Sequence, residues 1–390
     1  MSKDTEFFGR GKAKKSKPTK PAKPYPGFPL FPHATGRWAK KIRGKTRYFG
    51  PWRDTDGALA QYLDQRDDLY AGREPRAPGD ERPTIGLLCN AFCTAKKRLF
   101  QAGEITARTL KDYVDSCQRV VDAFGKGRAI EDLAPADFDA FRAALSKTRG
   151  PVALANEIGR IRVVFRFALD HDLLQRPARF GQSFRKPSAK TLRLDRAKKG
   201  PRVFSAAEIH QLLALARPNI KAMILLAINA GLGNHDVGGL RWCHVDTRTG
   251  WLDYPRPKTG MPRRAFLWKA TIKAIRDSVD GAPVKQMPGD PVFHTRKGHA
   301  WAKATRANPL SREFANLLKA AGIARPGLGF YALRHTFETV AGASRDQVAV
   351  DAVMGHAPRA GDMSAVYREG IDDDRLKAIA NHVRKWLGKT

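Results

Sequence analysis

The strongest constraint on the fold is helical periodicity between residues 83 and 178. Apolar side chains recur there at steps of three and four residues, which places them on one face of each helix. One set begins at Leu110, a second begins at Leu154, and Pro135 opens a further helix. The pattern predicts a compact bundle of about four helices with a basic outer face that includes Arg160 and Arg162. A purely structural bundle with a solvated basic face is the alternative interpretation.

Charge indicates the partner of such a chain. Lys and Arg number 71 against 38 Asp and Glu, a formal net charge of +33. Nucleic acid is the expected partner, because displacing counterions from phosphates drives the binding of basic proteins. A ribosome-like or chromatin-like protein is the general alternative, and a basic membrane-surface protein is a weaker one. No segment predicts a membrane span or a secretory signal, so we expect a cytoplasmic protein.

The cysteine pattern predicts neither disulfides nor a structural metal. The four cysteines form no CxxC motif, and no His pair completes a zinc pattern. They are therefore expected to be reduced, partly buried thiols of a cytosolic protein. These residues are Cys89, Cys93, Cys117 and Cys243.

The first 80 residues change character at residue 25. Residues 1–24 are rich in Lys, Pro and Ser and predict a disordered basic tail. Residues 25–80 predict a small β/α domain. Bulky and basic residues alternate around Gly44 as in a short hairpin, with Arg43 and Lys45 on its basic face. A helix is expected from Asp54 to Tyr70. This domain is a candidate for DNA binding, and a plain structural hairpin remains open.

A basic linker, 179–201, precedes a second large domain, 202–390. The run Ser205–Glu208 is a capping box, and an almost wholly apolar helix at 219–230 indicates a core position. Two short extended segments, 251–255 and 263–267, predict a hairpin whose turn holds Lys258. Helices are expected again from about Leu310 onward. The domain is thus predicted to be mostly helical with one small sheet.

Four segments of this domain resemble, in their order, the motifs of the tyrosine recombinase (phage integrase) family. They are Ala-Gly-Leu-Gly at 230–233, Pro-Lys-Thr-Gly at 257–260, Leu-Arg-His-Thr-Phe at 333–337, and Gly-His at 355–356 followed by Tyr367. The resemblance covers the last half of the chain well and the preceding bundle loosely. It implies a mainly α fold with small β sheets: an N-terminal arm-type domain, a helical-bundle core-binding domain and a mixed α+β catalytic domain.

The resemblance also implies the chemistry. Tyr367 would attack a DNA phosphodiester, forming a 3′-phosphotyrosine and freeing a 5′-hydroxyl, with no ATP, metal or other cofactor. Arg334 would clamp the phosphate, because a planar guanidinium binds two phosphate oxygens at once. Lys258 would protonate the leaving oxygen, His356 would donate to the phosphate, and His335 would be a supporting hydrogen bonder. The structural alternatives are a surface arginine, a turn lysine, structural histidines and a buried aromatic ring.

Two departures from the family pattern bear on activity. The first catalytic arginine of the family normally follows Gly-Leu directly, and here that position is Gly233. A histidine normally lies three residues before the second arginine, and here it is Tyr331. Loss of one charge-stabilising donor typically costs about a hundred- to a thousandfold in rate. Nearby arginines are candidate substitutes and candidate DNA contacts: Arg241, Arg263 and Arg264.

Assembly and function are then expected as follows. An apolar stripe on the last helix, from Leu376 to Trp386, would join protomers of a homo-tetramer on double-stranded DNA or pack within its own domain. The leading hypothesis is a site-specific recombinase or integrase. The second is a catalytically impaired relative that only binds DNA, because of Gly233 and Tyr331. The third is a general basic nucleic-acid-binding protein that shares the fold.

Overall fold

A computed structural model describes residues 19–75, 79–278, 287–295, 298, 301, 308–358 and 361–388. Most of the predicted basic tail, residues 1–18, lies outside this part of the chain. The polypeptide divides into two compact units, one ending at Ser188 and the other beginning at Ala189. Each unit is described by itself.

The first unit begins with a three-stranded antiparallel sheet in the order β1-β2-β3. The strands are β1 (Phe31–His33), β2 (Arg37–Ile42) and β3 (Lys45–Pro51), and helix α1 (Thr55–Ala71) follows. The predicted hairpin is confirmed, and its turn places Arg43 and Gly44 at φ 49° and 80°. Packing of α1 against the sheet buries a small aromatic core that includes Trp38, Phe49 and Tyr62.

The predicted helical bundle is confirmed in the same unit. Thr84 and Thr106 cap the first two helices through their hydroxyls, and proline occupies the first turn of the next two. The apolar faces meet in one core rich in phenylalanine, including Phe92, Phe138 and Phe165. The helices are α2 (Ile85–Gln101), α3 (Ala107–Phe124), α4 (Pro135–Thr148) and α5 (Pro151–Asp170).

The predicted linker, 179–201, is partly helical. Helix α6 (Ala189–Lys198) lies within it and buries none of its residues. The sequence interpretation missed this helix because it lacks an apolar face. Phe184, by contrast, is fully buried in the bundle core, so the start of the linker segment packs with the first unit.

The second unit is built around α8, whose residues from Ala222 to Ala230 are all buried, as the apolar run predicts. The extended segments near 251 and 264 pair as expected, and a short third strand joins them to give the order β4-β5-β6. In chain order the elements are α7 (Ala206–Leu215), α8 (Pro218–Ala230), α9 (Asn234–Gly238), β4 (Val245–Asp246), β5 (Trp251–Asp253), β6 (Arg264–Phe266) and α10 (Lys269–Asp277).

The remaining helices complete this domain. They are α11 (Pro309–Ala320), α12 (Tyr331–Gly342), α13 (Gln347–Met354), α14 (Met363–Val366) and α15 (Asp373–Leu387). The apolar stripe of α15 is buried in the core of its own unit, and Ala380 accepts a hydrogen bond from the Trp268 indole at 2.9 Å. The intramolecular alternative for this stripe is therefore the one adopted. Within the described residues, no helix is long and apolar enough to cross a membrane.

Candidate active site

Arg334 lies at the centre of the candidate site. It projects from α12 and is only 2% exposed. Its Nη1 donates to the Gly231 carbonyl at 2.5 Å and its Nη2 donates to the Met354 carbonyl at 2.9 Å. Both carbonyls belong to helix C-terminal turns, whose unpaired oxygens and negative dipole end favour a cation. Arg334 thus ties the ends of α8 and α13 together.

Gly231 allows this arrangement for two reasons. It ends α8 in the left-handed region at φ 63°, where glycine carries no steric cost. A Cβ at this position would also come within 2.8 Å of the Phe337 ring. Any other residue would displace the carbonyl that accepts from Arg334.

The β5–β6 hairpin brings the Lys258 turn to the same place. The Arg256 carbonyl accepts from Thr259 and Gly260, which closes the turn. The turn then docks on the Gly355 carbonyl, which accepts from Arg256 Nη1 at 3.3 Å and from the Thr259 hydroxyl at 3.4 Å. Lys258 is exposed in this turn. The hairpin and the end of α13 therefore meet directly beside His356.

His356 is oriented by a carboxylate. Its Nδ1 lies 3.0 Å from Asp351 Oδ1, one turn earlier on α13. Gln347 donates its amide to both Asp351, at 3.1 Å, and Glu338, at 3.0 Å. With Nδ1 directed to Asp351, Nε2 is the ring nitrogen left for a substrate. Asp351 was not singled out from the sequence, although its spacing of five residues before His356 is a usable signal.

Among the described residues, this same cluster is the one whose geometry could hold a metal ion. One ligand atom each from Glu338, Asp351 and His356 lies within 4.8 Å of the others. The Gln347 amide already occupies an oxygen of both carboxylates. The simpler interpretation of the cluster is a hydrogen-bond network that holds His356 in place.

A second buried arginine, Arg263, lies in the site rather than on an exposed surface. Its side chain is fully buried, and its Nη1 donates to Asp236 Oδ2 at 3.0 Å. Its Nε donates to the Tyr254 carbonyl at 2.9 Å, and the guanidinium lies 4.9 Å from the Tyr254 ring centre. Burial lowers the pKa of Arg263, while Asp236 raises it. Its remaining nitrogen, Nη2, is buried and has no hydrogen-bond partner among the described residues.

The two arginines share one electrostatic environment. Burial lowers the pKa of Arg334, and the guanidinium groups of Arg256 and Arg263 lower it further. Asp236 and Tyr331 act in the opposite direction. Arginine stays protonated despite such shifts, so the site is a concentrated patch of fixed positive charge.

The two positions that depart from the family pattern touch each other. A Cβ built on Gly233 would lie 3.1 Å from Cε2 of the Tyr331 ring. Tyr331 is 47% exposed, and its ring lies edge-to-face with that of His335, with 5.3 Å between centres. Partial burial and the charges of Arg202 and Arg334 lower the pKa of His335. An imidazole with a lowered pKa is neutral near pH 7.

Tyr367 directly follows the short helix α14, whose N-terminus Asp362 caps through its side chain. The Tyr367 side chain is 78% exposed, the highest value among the large hydrophobic and aromatic side chains that are exposed. The phenol is thus outside the apolar core and open to a substrate. Among the described contacts, none joins Tyr367 to Arg334.

Several predicted DNA contacts also serve the fold. Arg160 pairs with Asp112 at 2.9 Å. Arg162 donates to the Phe184 carbonyl at 2.9 Å and stacks on Phe180. Arg43 donates to the Tyr70 carbonyl at 3.3 Å, whereas Lys45 is exposed on the hairpin. A sequence pattern shows where an arginine lies along a helix, but not whether an acceptor already faces it.

The same holds for two arginines of the second unit. Arg241 donates to the Gly289 carbonyl. Arg264 pairs with Asp253 at 2.6 Å and with Asp373 at 2.9 Å, and it stacks on the Trp251 ring at 4.1 Å. Neither contacts Arg334. Of the three candidate substitutes for the missing arginine, Arg263 is therefore the one that the fold places in the site.

Comparisons with known proteins agree with the fold of the second unit and of most of the chain. Residues 202–369 match the family model described as the phage integrase family. The fold is similar to a lambda integrase dimer bound to a COC′ core site, with 14% identity, a TM-score of 0.56, and coverage of 90% of this chain and 98% of that one. The fold is also similar to a lambda integrase tetramer bound to a Holliday junction, with 14% identity and a TM-score of 0.55. That match covers 90% of this chain and 97% of the other.

A third similar structure is the Tn1549 transposon integrase in complex with transposon right end DNA. It has 16% identity and a TM-score of 0.55, and the match covers 77% of this chain and all of that one. No curated protein sequence matches the chain. At these identities the solved structures establish the fold, which is that of tyrosine recombinases.

Proposed function

Residues 202–369 match the model of the phage integrase family, and from this match we propose that the chain is a site-specific DNA recombinase that cuts and rejoins DNA through Tyr367. One observation carries the proposal. Arg334, the Lys258 hairpin and His356 all converge on the last turn of α13, through the carbonyls of Met354 and Gly355. Residues far apart in sequence thus present cations to one spot.

The proposed reaction assigns a role to each group. The Tyr367 oxygen attacks the phosphorus, and its proton leaves to solvent. A bond forms between that oxygen and the phosphorus, and the bond from phosphorus to the 5′-oxygen breaks. Lys258 gives its proton to the departing 5′-oxygen. Arg334 donates to a nonbridging oxygen as negative charge develops, and His356 donates through Nε2 when both of its ring nitrogens carry a proton.

Rejoining is the same chemistry in reverse. A 5′-hydroxyl of another strand attacks the 3′-phosphotyrosine and expels the phenol. Each step breaks one ester bond to phosphorus and forms another, so the two steps need no external energy source. A neutral His335 beside Arg334 is suited to a supporting hydrogen bond rather than to charge stabilisation.

Double-stranded DNA is the proposed substrate, and we propose assembly as a tetramer on paired sites. The net charge of +33 supports DNA binding, with Lys45 of the N-terminal hairpin as one contact. The apolar stripe of α15 is already buried within its own unit, which argues against that stripe as the interface of the unbound chain. Since the substrate would be chromosomal or phage DNA, we place the protein in the cytoplasm.

The domain division is proposed accordingly. Residues 25–80 would contact DNA outside the cut site, residues 83–178 would bind beside it, and residues 202–390 would hold the reacting phosphate. Binding by each part would neutralise phosphates and make the affinity fall with added salt.

Covalent trapping tests the proposed function. Nicked duplexes with a randomised core would be incubated with the protein, so that loss of the short fragment traps the adduct. Wild type should give a denaturant-resistant protein–DNA species on a subset of sequences, and Tyr367→Phe should give none. Absence of a tyrosine-dependent adduct across the whole pool would remove strand cutting as the function.

The second candidate is an impaired relative that binds DNA without cutting it. Gly233 and Tyr331 favour it. Gly233 stands where the family has its first catalytic arginine, and Tyr331 stands where the family has a histidine. It predicts specific binding and pairing of sites without adducts, and new cleavage in Gly233→Arg. A general basic protein would instead bind all sequences alike at fixed salt.

A further inference from the structure

Position 233 and Arg263 are joined through one carboxylate oxygen. The Gly233 amide donates to Asp236 Oδ2 at 3.0 Å, and Arg263 Nη1 donates to the same oxygen at 3.0 Å. A guanidinium therefore lies beside the backbone that carries no side chain. It comes from the strand side of the site instead of from the turn before α9.

The hydrogen bonds of Arg263 are incomplete in a specific way. Nε and Nη1 each have an acceptor, whereas Nη2 is buried and has none among the described residues. Buried polar groups are rarely left unpaired, and a buried charged donor calls for an acceptor. The neighbours Arg256 and Arg334 are also cations, and the single bond from Asp236 does not balance them. An anion would both accept from Nη2 and offset these neighbouring cations.

We propose that Arg263 supplies the second guanidinium for the scissile phosphate, in place of the side chain missing at Gly233, and that Asp236 is its positioning residue. This inference rests on the proposed function, whose substrate is that phosphate. Nη2 would donate to one nonbridging oxygen while Arg334 holds the other. Since Nη2 is enclosed in the unbound chain, a covering side chain must move when a phosphate binds, whether free or in DNA.

The same geometry links the two departures from the family pattern. The space next to Gly233 is filled by the Tyr331 ring, so an arginine at 233 would require that ring to move. Gly233 itself has an ordinary extended conformation, φ −90°, which any residue can adopt. The Tyr331 ring thus fills the space that an arginine side chain at position 233 would need. Arg263 would supply the positive charge that such an arginine would bring.

Phosphate binding can be tested without strand cutting. The full chain labelled with ¹⁵N-arginine would be titrated with inorganic phosphate, following side-chain N–H signals by NMR. Signals of Arg263 and Arg334 should shift together with one dissociation constant. Arg119 is the matched control, because both of its bonds to Glu157 are already made. A shift of Arg334 without Arg263 would overturn the inference while leaving the proposed function intact.

Cleavage provides the second readout. Arg263→Met should lower the rate of adduct formation about a hundred- to a thousandfold on a phosphodiester. On a neutral methylphosphonate at the same position the loss should be much smaller, because there is less charge to stabilise. Equal losses on both substrates would mean that Arg263 acts only through packing. Arg264→Met, at the adjacent position, is the control and should not separate the two substrates.

The two readouts separate the possible failures. If Arg263 and Arg334 both respond to phosphate but no adduct forms on any DNA, Arg263 binds the phosphate and strand cutting is wrong. If neither arginine responds, both the inference and the phosphate site beneath the proposed function are wrong.

Placing an arginine at position 233 in the absence of Arg263 tests whether the Tyr331 ring excludes a side chain there. In an Arg263→Met background, Gly233→Arg combined with Tyr331→Ala should recover at least tenfold of the lost rate, since Asp236 remains to hold the new side chain. Gly233→Arg with Tyr331 in place should recover less. Equal recovery in both would show that the ring does not exclude an arginine.

Discussion

Two arginine–carboxylate pairs with a buried carboxylate differ in how completely they are bonded. In the bundle, Arg119 donates through Nε and Nη2 to both oxygens of Glu157, each at 2.8 Å. In the second unit, Arg263 makes one 3.0 Å bond to Asp236 and keeps an enclosed nitrogen without a partner. The bundle pair is a complete bidentate one, whereas the pair in the second unit leaves one arginine nitrogen for a further acceptor.

Charge balance differs in the same way. Glu157 accepts from Arg119 and lies 3.6 Å from Arg160, which also pairs with Asp112, so cations and anions alternate in the bundle. Around Arg334, the guanidinium groups of Arg256 and Arg263 add positive charge that the carboxylate of Asp236 opposes. Arginines predicted to contact DNA in the bundle are therefore partly structural. We therefore expect the phosphate-binding cations to be the buried arginines of the second unit.

The largest effect is expected at Arg334. Arg334→Lys presents a single nitrogen, which cannot reach the Gly231 carbonyl, the Met354 carbonyl and a phosphate oxygen together. The rate of adduct formation should fall about a hundred- to a thousandfold, measured by trapping on nicked DNA. Arg160→Lys in the bundle should keep the rate within about twofold, since its ion pair is partly exposed. Comparable losses of cleavage rate in both variants would contradict the proposal that arginines of the second unit bind the phosphate while those of the bundle are structural.

The bundle pair should affect stability instead of cleavage. Arg119→Ala leaves Glu157 buried without its partner and should destabilise the bundle by about 2–3 kcal/mol, below the range for fully enclosed pairs because Arg119 is partly exposed. Amide hydrogen exchange in α3 and α5 measures this locally. Arg119→Met with Glu157→Leu should recover most of the loss. A cleavage defect per folded molecule in either variant would contradict a structural role.

A smaller effect is expected for Asp351. Asp351→Asn keeps the shape of the side chain but removes the carboxylate that orients His356, and Gln347 loses one of its two charged acceptors. Misplacing a reacting group slightly is costly, so the cleavage rate should fall on the order of tenfold with DNA affinity unchanged. A change in affinity with no change in rate would mean that the network serves DNA binding only.

The smallest effect concerns pH. The pKa of His335 is lowered in the folded protein, so the unfolded chain binds more protons just below its ordinary value of about 6.5. Stability should therefore fall as the pH drops below about 6.5, with this contribution fully present above that pH. His335→Gln should flatten the decline, measured as melting temperature against pH. An unchanged slope would remove His335 as its source.

The sequence predicts features that depend on residues close together in the chain better than those that depend on distant ones. Helical periodicity was enough for α2 to α5 and for the buried α8, because a helix face is determined by nearby residues. Helix α6 was missed since it has no apolar face to reveal it. The motifs identified Arg334, Lys258 and His356 individually. Their meeting at Met354 and Gly355 depends on chain segments about a hundred residues apart.

The Arg263–Asp236 pair shows the limit of sequence reasoning most clearly. Arg241, Arg263 and Arg264 were equally good substitutes for the missing arginine, because sequence distance does not reveal burial. Only the fold distinguishes them: Arg241 bonds Gly289, Arg264 pairs with two surface carboxylates, and Arg263 is enclosed. Asp236, three residues after Gly233, was the available signal, since a buried carboxylate needs a cation.

The most direct measurement is a structure of the Tyr367→Phe protein on nicked DNA. The account predicts that the scissile phosphate lies within hydrogen-bond distance of both Arg334 and Arg263 Nη2, with the ring at position 367 facing the phosphorus. A phosphate held by exposed arginines elsewhere, with Arg263 Nη2 still unpaired, would contradict it.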